Sequence, residues 1–460
     1  MDREKLGTRL GFILLSAGCA IGCGNVWKFP WMTGEYGGGA FVLVYIIFLI
    51  ILGLPVMTME FSVGRAAQVS PLHMHKKLEP AGSKWHIHGK FALIGNVVLM
   101  MFYTTISGWF VYYFYIFLTG NGQRAGFVDM ISNPAINVTC TSIVIVVGFL
   151  LISSSLQKGV EDATEVIMVA LFILMIGVAI YSLTLDGAME GLKFYLVPDF
   201  SKITIPVVVG AMNQAFFTLS VGMGSMAIFG SYIDKTHALV SESKNVIILD
   251  TVVALLAGTI IFPSCFANGY TAENFGGAAE EQVGAGPGLL FETMASVFNN
   301  MGAAGRWVGA AFFLFMIFAA MSTVIAVFEN IQAMVSEATD WSRQKTALIC
   351  CVGMLVLALP CELGFNLLSG FQPLGEGSAV LDLEDFIVSS CLLPLGSLAF
   401  VLFCTSKKGW GFKNFMEEAN TGVGLKVKPW MRGYMTYVLP LIIFIVFALG
   451  ILTTFGIVTL

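Results

Sequence analysis

From Arg9 onward, long apolar runs alternate with short polar ones, at a spacing that suits neither strands nor amphipathic surface helices. Phe41 to Met59, FVLVYIIFLIILGLPVMTM, carries no basic or acidic residue before its end and approaches the roughly 20 residues that take a helix across the hydrocarbon core. Such runs recur. They predict eleven helical spans, at about residues 9–35, 39–64, 91–119, 140–156, 163–185, 205–232, 245–270, 303–337, 345–367, 379–404 and 434–458. Lipid offers backbone N–H and C=O groups no partner, and the runs are too long for barrel strands, so the expected class is an all-α polytopic membrane protein. MDREK leads straight into the first span without a small-residue cleavage site, and no cleaved leader is expected.

Two spans violate the pattern at their centres. The first, RLGFILLSAGCAIGCGNVWKFP, holds Gly18, Gly22, Gly24, Asn25 and Lys28; the sixth has Thr218, Ser220 and then Gly222-Met223-Gly224. Each glycine costs a helix about 1 kcal/mol relative to alanine, and each interruption frees main-chain groups that hydrocarbon cannot satisfy. Interruptions in the first and sixth of ten spans match two inverted five-helix repeats. These would occupy 1–185 and 205–404, the second including a loop over 271–302, followed by a loop and an eleventh helix over 405–460. Half-helix N-termini suit a carboxylate, and C-terminal carbonyls suit a hard cation such as Na⁺. Side-chain oxygens that could complete a cation shell are Asn25, Thr218, Asp250 in VIILDTVVALLAG, and the pair Ser322-Thr323 in FAAMSTVIAV. Serine and threonine in a membrane helix commonly bond back to their own helix. Asp250 differs, because an intramembrane carboxylate is expensive and marks function by default.

Composition narrows the classes. The 460-residue chain is 57% hydrophobic and 12% charged, about half the charge of ordinary soluble domains, and its net charge of −5 gives no reason to expect nucleic acid. Nine cysteines show no CxxC spacing and read as small buried hydrophobes. His73, His75, His86 and His88 fall in a basic loop and read as a solvated segment on the membrane surface, not a metal site. Asn137-Val138-Thr139 fits a glycosylation sequon, a tripeptide common by chance. The spans hold no nucleophile–base pair, which argues against an enzyme. Two discrete oxygen clusters, in place of a repeated polar lining, argue against a channel. Arg65, Lys76, Lys77, Lys84 and Lys90, with Lys407, Lys408, Lys413, Lys426, Lys428 and Arg432, place one set of loops in the cytoplasm; the loops around 271–302 and 368–378 contain no Lys or Arg. The N-terminus is therefore expected inside and the C-terminus outside.

GCAIGCGNVWKFP, EYGGGAF (Glu35 to Phe41), FFTLSVGMG and GPGLLFETM (Gly286 to Met294) closely resemble the neurotransmitter:sodium symporter family, from Arg3 to the tenth span. The eleven-span form resembles its bacterial amino acid transporter branch. The resemblance implies the inverted-repeat fold, a plasma-membrane location, and cotransport of sodium with an amino acid or amine-derived solute.

Carried over by position, it implies a first sodium site from Ala20, Asn25, Thr218, Asp250 and the substrate carboxylate. A second would use Gly18, Ile21, Ala319, Ser322 and Thr323. Substrate would lie against Ala20, Gly22, Cys23 and Gly24, with the Tyr103 hydroxyl as a donor and a side-chain pocket of Leu99, Phe217, Ser220, Met223, Thr323 and Val327. That pocket is uncharged, so a hydrophobic or aromatic side chain is expected.

Three departures refine this. Amine-carrying members have Asp at the position of Gly22, so an α-amino acid bringing its own carboxylate is expected. Chloride-dependent animal members have Asn at the position of Asp250; although Tyr45 matches a chloride ligand, chloride independence is expected. Lys28 stands for an arginine in an outer gate with Asp385 and Gln214, and lysine cannot make the two-pronged contact. The inner gate would use Arg3, Tyr232 and Glu337, with Leu6 where many members have Trp. The expected activity is sodium-coupled import of an α-amino acid by alternating access; the alternative is a sodium-dependent sensor without turnover.

Overall fold

The computed structural model describes residues 6–124, 126–275 and 287–455. Among these, nine helices are long and apolar enough to cross a membrane. They are Gly39–Ala67, Ile87–Leu118, Pro134–Ile152, Gly159–Leu183, Leu239–Ala267, Ala303–Thr339, Arg343–Leu363, Val380–Thr405 and Met431–Thr454. Arg9–Ala20 with Gly24–Glu35 makes a tenth crossing, bent by 53° at its break. Ile205–Thr218 followed by Ser225–Gly230 makes the eleventh. All eleven predicted spans are present, and both interruptions fall where the glycines lie.

Small residues decide what sits at the centre. The eighth span, Ala303–Thr339, presents Gly309, Ala319, Ala320, Ser322, Thr323 and Ala326 to its neighbours, and such side chains let helices approach closely without a hydrophobic drive. Its most apolar stretch is 78% buried, against 28% for the last span. The fourth and fifth spans turn Ile143, Val147, Val166 and Ile173 outward, as lipid-facing helices should.

Several boundaries move; the seventh span, for one, starts at Leu239, six residues before the expected 245. The fourth span starts at Pro134, six residues before the expected 140, because the Asn133 side chain caps the N–H groups of Ala135 and Ile136 and proline suits the first turn. Asn137 thereby falls inside a helix: buried, it accepts from Trp109 Nε1 at 2.7 Å and donates to the carbonyls of Met130, Ile131 and Asn133, so the sequon is no surface acceptor. The third span starts at Ile87.

The basic loop is less solvated than expected. His75 is fully buried against Phe400 and Phe403, on the short helix Pro71–Leu78. A second loop helix, Phe412–Ala419, brings Glu418 to the buried Arg65 at 2.7 Å and to Lys235 at 2.9 Å. Arg65 also donates to the His237 carbonyl, and so ties the end of the second span to the segment following the sixth.

Candidate functional site

The first break begins where the helix stops at Ala20 and Ile21 turns extended, with ψ 104. A wide π turn, Gly24–Lys28, restarts it. Gly22 is required here by close approach, since a Cβ would overlap the hydroxyls of Tyr103 and Thr323. The Cys23 N–H donates to Tyr103 Oη at 2.9 Å, and the Gly22 N–H donates to Asn25 Oδ1 at 3.1 Å. Asn25 Nδ2 reaches Asp250 Oδ1 at 2.8 Å and the Asp250 carbonyl at 3.0 Å. Thr218 Oγ1 lies 3.3 and 3.4 Å from the two Asp250 oxygens. The predicted first-sodium side chains thus form one buried cluster.

The second break runs from Leu219 to Gly224, with Ser220, Gly222 and Gly224 all at positive φ. Its freed N–H groups are met by an acid that the sequence reading missed. Glu60, fully buried on the second span, accepts from Gly222 at 2.8 Å and from Met226 at 3.0 Å. Asn96 Nδ2 donates to the Met223 carbonyl at 2.9 Å, and Asn330 donates to Asn96 Oδ1 at 3.1 Å. Charge or amide inside an apolar run, the signal that marked Asp250, also marks Glu60 in MTMEFSV and Asn96 in LIGNVVLM.

The two breaks face each other. Ser220 Oγ donates to the Cys19 carbonyl at 3.2 Å, and Gln214 Nε2 donates to the Gly24 carbonyl at 2.7 Å. Gln214, expected beside the outer gate, joins the two interrupted helices through its amide nitrogen.

The eighth span supplies the second oxygen set. Ser322 Oγ lies 3.2 Å from the Ile21 carbonyl and 2.8 Å from that of Ala319. Thr323 Oγ1 lies 3.2, 3.4 and 3.1 Å from the carbonyls of Gly18, Cys19 and Ile21. Two hydroxyls carry two protons, yet four carbonyls converge on them. The surplus lone pairs fit a hard cation with oxygen preference.

A small cavity lies between the breaks, lined by Ala20, Gly22, Leu99, Tyr103, Ser220 and Met223, with Cys19, Gly24, Phe217, Thr323 and Leu393 completing it. No charged side chain lines it. Val327 is buried but does not line it, and Cys23 faces a second cavity instead. This second space, about 330 Å³, contains Trp27, Lys28, Trp31, Asp382 and Asp385. Tyr103 and Phe217 border both and so form the partition. Across the second cavity Lys28 Nζ sits 3.6 Å from Asp385 Oδ2 and 4.0 Å from the centre of the Phe217 ring.

At the other end, Tyr232 Oη donates to Glu329 Oε1 at 2.9 Å, and Arg343 forks onto the same carboxylate. Glu337 accepts from the Ser70 N–H at 2.7 Å and meets His73 Nδ1 at 2.7 Å. Arg3 lies outside the described residues. Neither Glu329 nor Arg343 was singled out from sequence, although Glu329 interrupts the apolar TVIAVFENIQ. Nearby, Thr8 caps the first span by accepting from the Gly11 N–H at 2.8 Å, and the Glu161 carboxylate accepts from the N–H groups of Gly7 and Thr8, at 2.7 and 2.9 Å, and so tethers the entry to that span.

Comparison with known proteins agrees with this architecture. The sequence profile of the Sodium:neurotransmitter symporter family matches residues 3–124 and 127–457. The sodium-dependent transporter YhdH of Bacillus subtilis is 32% identical, over 97% of this chain and 98% of its own length. The sodium-dependent serotonin transporter of Drosophila melanogaster is 26% identical, over 98% of this chain and 76% of its own. The crystal structure of MhsT in complex with L-phenylalanine superposes with a TM-score of 0.84 at 35% identity, covering 97% of this chain and 100% of that one. The fold is therefore two inverted five-helix repeats, each with an interrupted first helix, plus an eleventh helix. The chain belongs to the sodium:neurotransmitter symporter family and is a sodium-dependent, multi-pass membrane transporter.

Proposed function

We propose that the protein imports an α-amino acid with a hydrophobic or aromatic side chain, coupled to sodium and independent of chloride, by alternating access. One observation carries the reading: main-chain groups of both breaks meet at a cavity without charged side chains, and Asn25 links its Gly22 N–H to a buried Asp250 through two hydrogen bonds. A zwitterion supplies the carboxylate that this cavity lacks. Tyr103 already accepts from the Cys23 N–H, and its own proton is left to donate to that carboxylate. Sodium in the Asn25–Thr218–Asp250 cluster would share the carboxylate, so each ligand raises the affinity of the other. The Asp250 carboxylate provides the negative charge that chloride would otherwise bring. The L-phenylalanine bound by MhsT supports an aromatic or apolar side chain.

In this reading residues 1–185 and 205–404 are the two repeats, the N-terminus is cytoplasmic and the C-terminus outside. Lys28 and Asp385 close the outer side; Tyr232 and Glu337, with Arg3, close the inner side.

Accumulation of labelled amino acids in proteoliposomes under a sodium gradient, with all twenty in competition, tests the proposal. Sodium-driven, chloride-insensitive accumulation of apolar or aromatic substrates is expected. Sodium-dependent binding without accumulation would establish a sensor instead, and binding indifferent to sodium would overturn both.

A further inference from the structure

A third cavity, about 320 Å³, opens beside the second break. Phe91 and Ala92 of the third span form one wall, Leu395 and Ala399 of the tenth form the other, and Gly222 and Met223 make its floor. Phe91 is 55% exposed and Leu395 41%, both on membrane-spanning helices, so the opening faces lipid sideways. Apart from His88, which also lines the cavity, these walls are carbon and reward hydrocarbon.

The rim has a different chemistry. Lys84 and Trp85 also line the cavity, with Lys84 exposed. Trp85 Nε1 donates to the Lys408 carbonyl at 2.8 Å, which brings the Lys407-Lys408 loop to the same rim. Lys84, Lys407 and Lys408 enter no ion pair among the described residues. Indole and ammonium side by side at the end of an apolar slot match the interfacial belt and an anionic head group.

We propose that this cavity is a lipid site holding one acyl chain of an anionic phospholipid, its head group at Lys84 and its terminal carbons against Gly222 and Met223. Met223 also lines the small cavity between the breaks, so a single side chain separates lipid from the space assigned to substrate. A bound chain braces Met223 from behind and raises the affinity for amino acid. This last step rests on the proposed function; the lipid site does not.

The test uses the full-length protein in nanodiscs containing phosphatidylglycerol or phosphatidylcholine with a photoactivatable acyl tail, and maps crosslinks by mass spectrometry. Crosslinks to Phe91, Leu395 or Ala399 are expected from phosphatidylglycerol. Ala399→Trp, which fills the slot from a half-buried position, should abolish them. Lys84→Gln, a surface change that cannot unfold the chain, should lower them about fivefold, as expected for losing one lysine from an anionic surface. Equal labelling from phosphatidylcholine, or labelling that survives Ala399→Trp in a folded protein, would overturn the site. In parallel, sodium-dependent amino acid affinity should rise with phosphatidylglycerol in the wild type and not in Ala399→Trp; an unchanged wild type overturns the coupling alone. Absence of amino acid binding in every lipid condemns the functional reading while the crosslinks still report on the site.

Discussion

Asn25 holds Asp250 at two points, its Nδ2 lying 2.8 Å from the carboxylate and 3.0 Å from the main-chain carbonyl of the same residue. The first break is thereby fixed to the seventh span through one amide, whose oxygen takes the Gly22 N–H in turn. Neutralising the acid leaves this geometry largely intact and removes only charge. Asp250→Asn should therefore make sodium-driven uptake depend on chloride, with a loss of about tenfold or more in sodium affinity when chloride is absent, equal to at least 1.4 kcal/mol. Uptake assays with chloride replaced by gluconate measure this. Chloride-free uptake that matches the wild type would remove the role given to Asp250.

Tyr103 is the partner of the Cys23 N–H, and both are buried. Tyr103→Phe strands that donor at a cost of about 1–3 kcal/mol and deletes the proton assigned to the substrate carboxylate. Affinity for amino acids should fall at least tenfold by isothermal titration, whereas that for the corresponding amines, which lack the carboxylate, should stay low and change little. A parallel loss for both classes would place Tyr103 elsewhere in the mechanism.

Glu60 accepts two N–H groups of the second break. Glu60→Gln keeps the shape but offers one oxygen for two donors, and should destabilise the fold by about 1–3 kcal/mol. A lower thermal midpoint in detergent is the expected readout. No shift would mean that another group satisfies Gly222 or Met226.

Glu161 tethers the entry to the first span through the N–H groups of Gly7 and Thr8, and Cys19 is buried near the end of the N-terminal half of that span. Weakening this tether with Glu161→Gln should let that half depart more often. Thiol labelling of Cys19, mapped by mass spectrometry, should accelerate about fivefold in sodium-free medium, as for the loss of about 1 kcal/mol of charge-assisted bonding, and sodium should suppress it. Unaltered labelling would assign Glu161 to static packing.

His75 is buried on the loop helix, and burial, followed by the nearby His88, holds its imidazole well below the ordinary value of 6.5. The folded chain therefore keeps His75 neutral while the unfolded chain takes up a proton below about pH 6.5, so stability falls as the pH drops through that value. The wild-type thermal midpoint should decline between pH 7.5 and 5.5 by more than that of His75→Phe, which suits the Phe400–Phe403 surroundings. An equal decline would show that other groups carry the acid response.

The spans, their number and both interruptions were legible because they depend on local chemistry: apolar length, glycine clusters and the cost of a charge in lipid. Asp250 stood out for the same reason, and Glu60, Asn96 and Glu329 could have been found by applying the same test along every span. What sequence could not show is pairing across the bundle. Gln214 turns to Gly24, Tyr232 meets Glu329, and His75 is enclosed by Phe400 and Phe403, each through contacts more than 90 residues apart in sequence. The early start of the fourth span was readable in Asn133-Pro134, a helix-opening pair that an apolar count passes over.

The link from Gln214 to Gly24 has a mechanical result. The C-terminal portion of the first span, at its wide turn, is stitched to the N-terminal portion of the sixth one turn before that helix breaks, so tilting either alone costs this buried bond. The remaining stubs, Arg9–Ala20 and Ser225–Gly230, share a longer tie, from the Ser220 hydroxyl just before the second stub to the Cys19 carbonyl of the first at 3.2 Å. If the proposed alternating access holds, the outer halves would swing with a short amide strut between them and the inner stubs with only the longer hydroxyl link, a built-in difference in stiffness between the two sides.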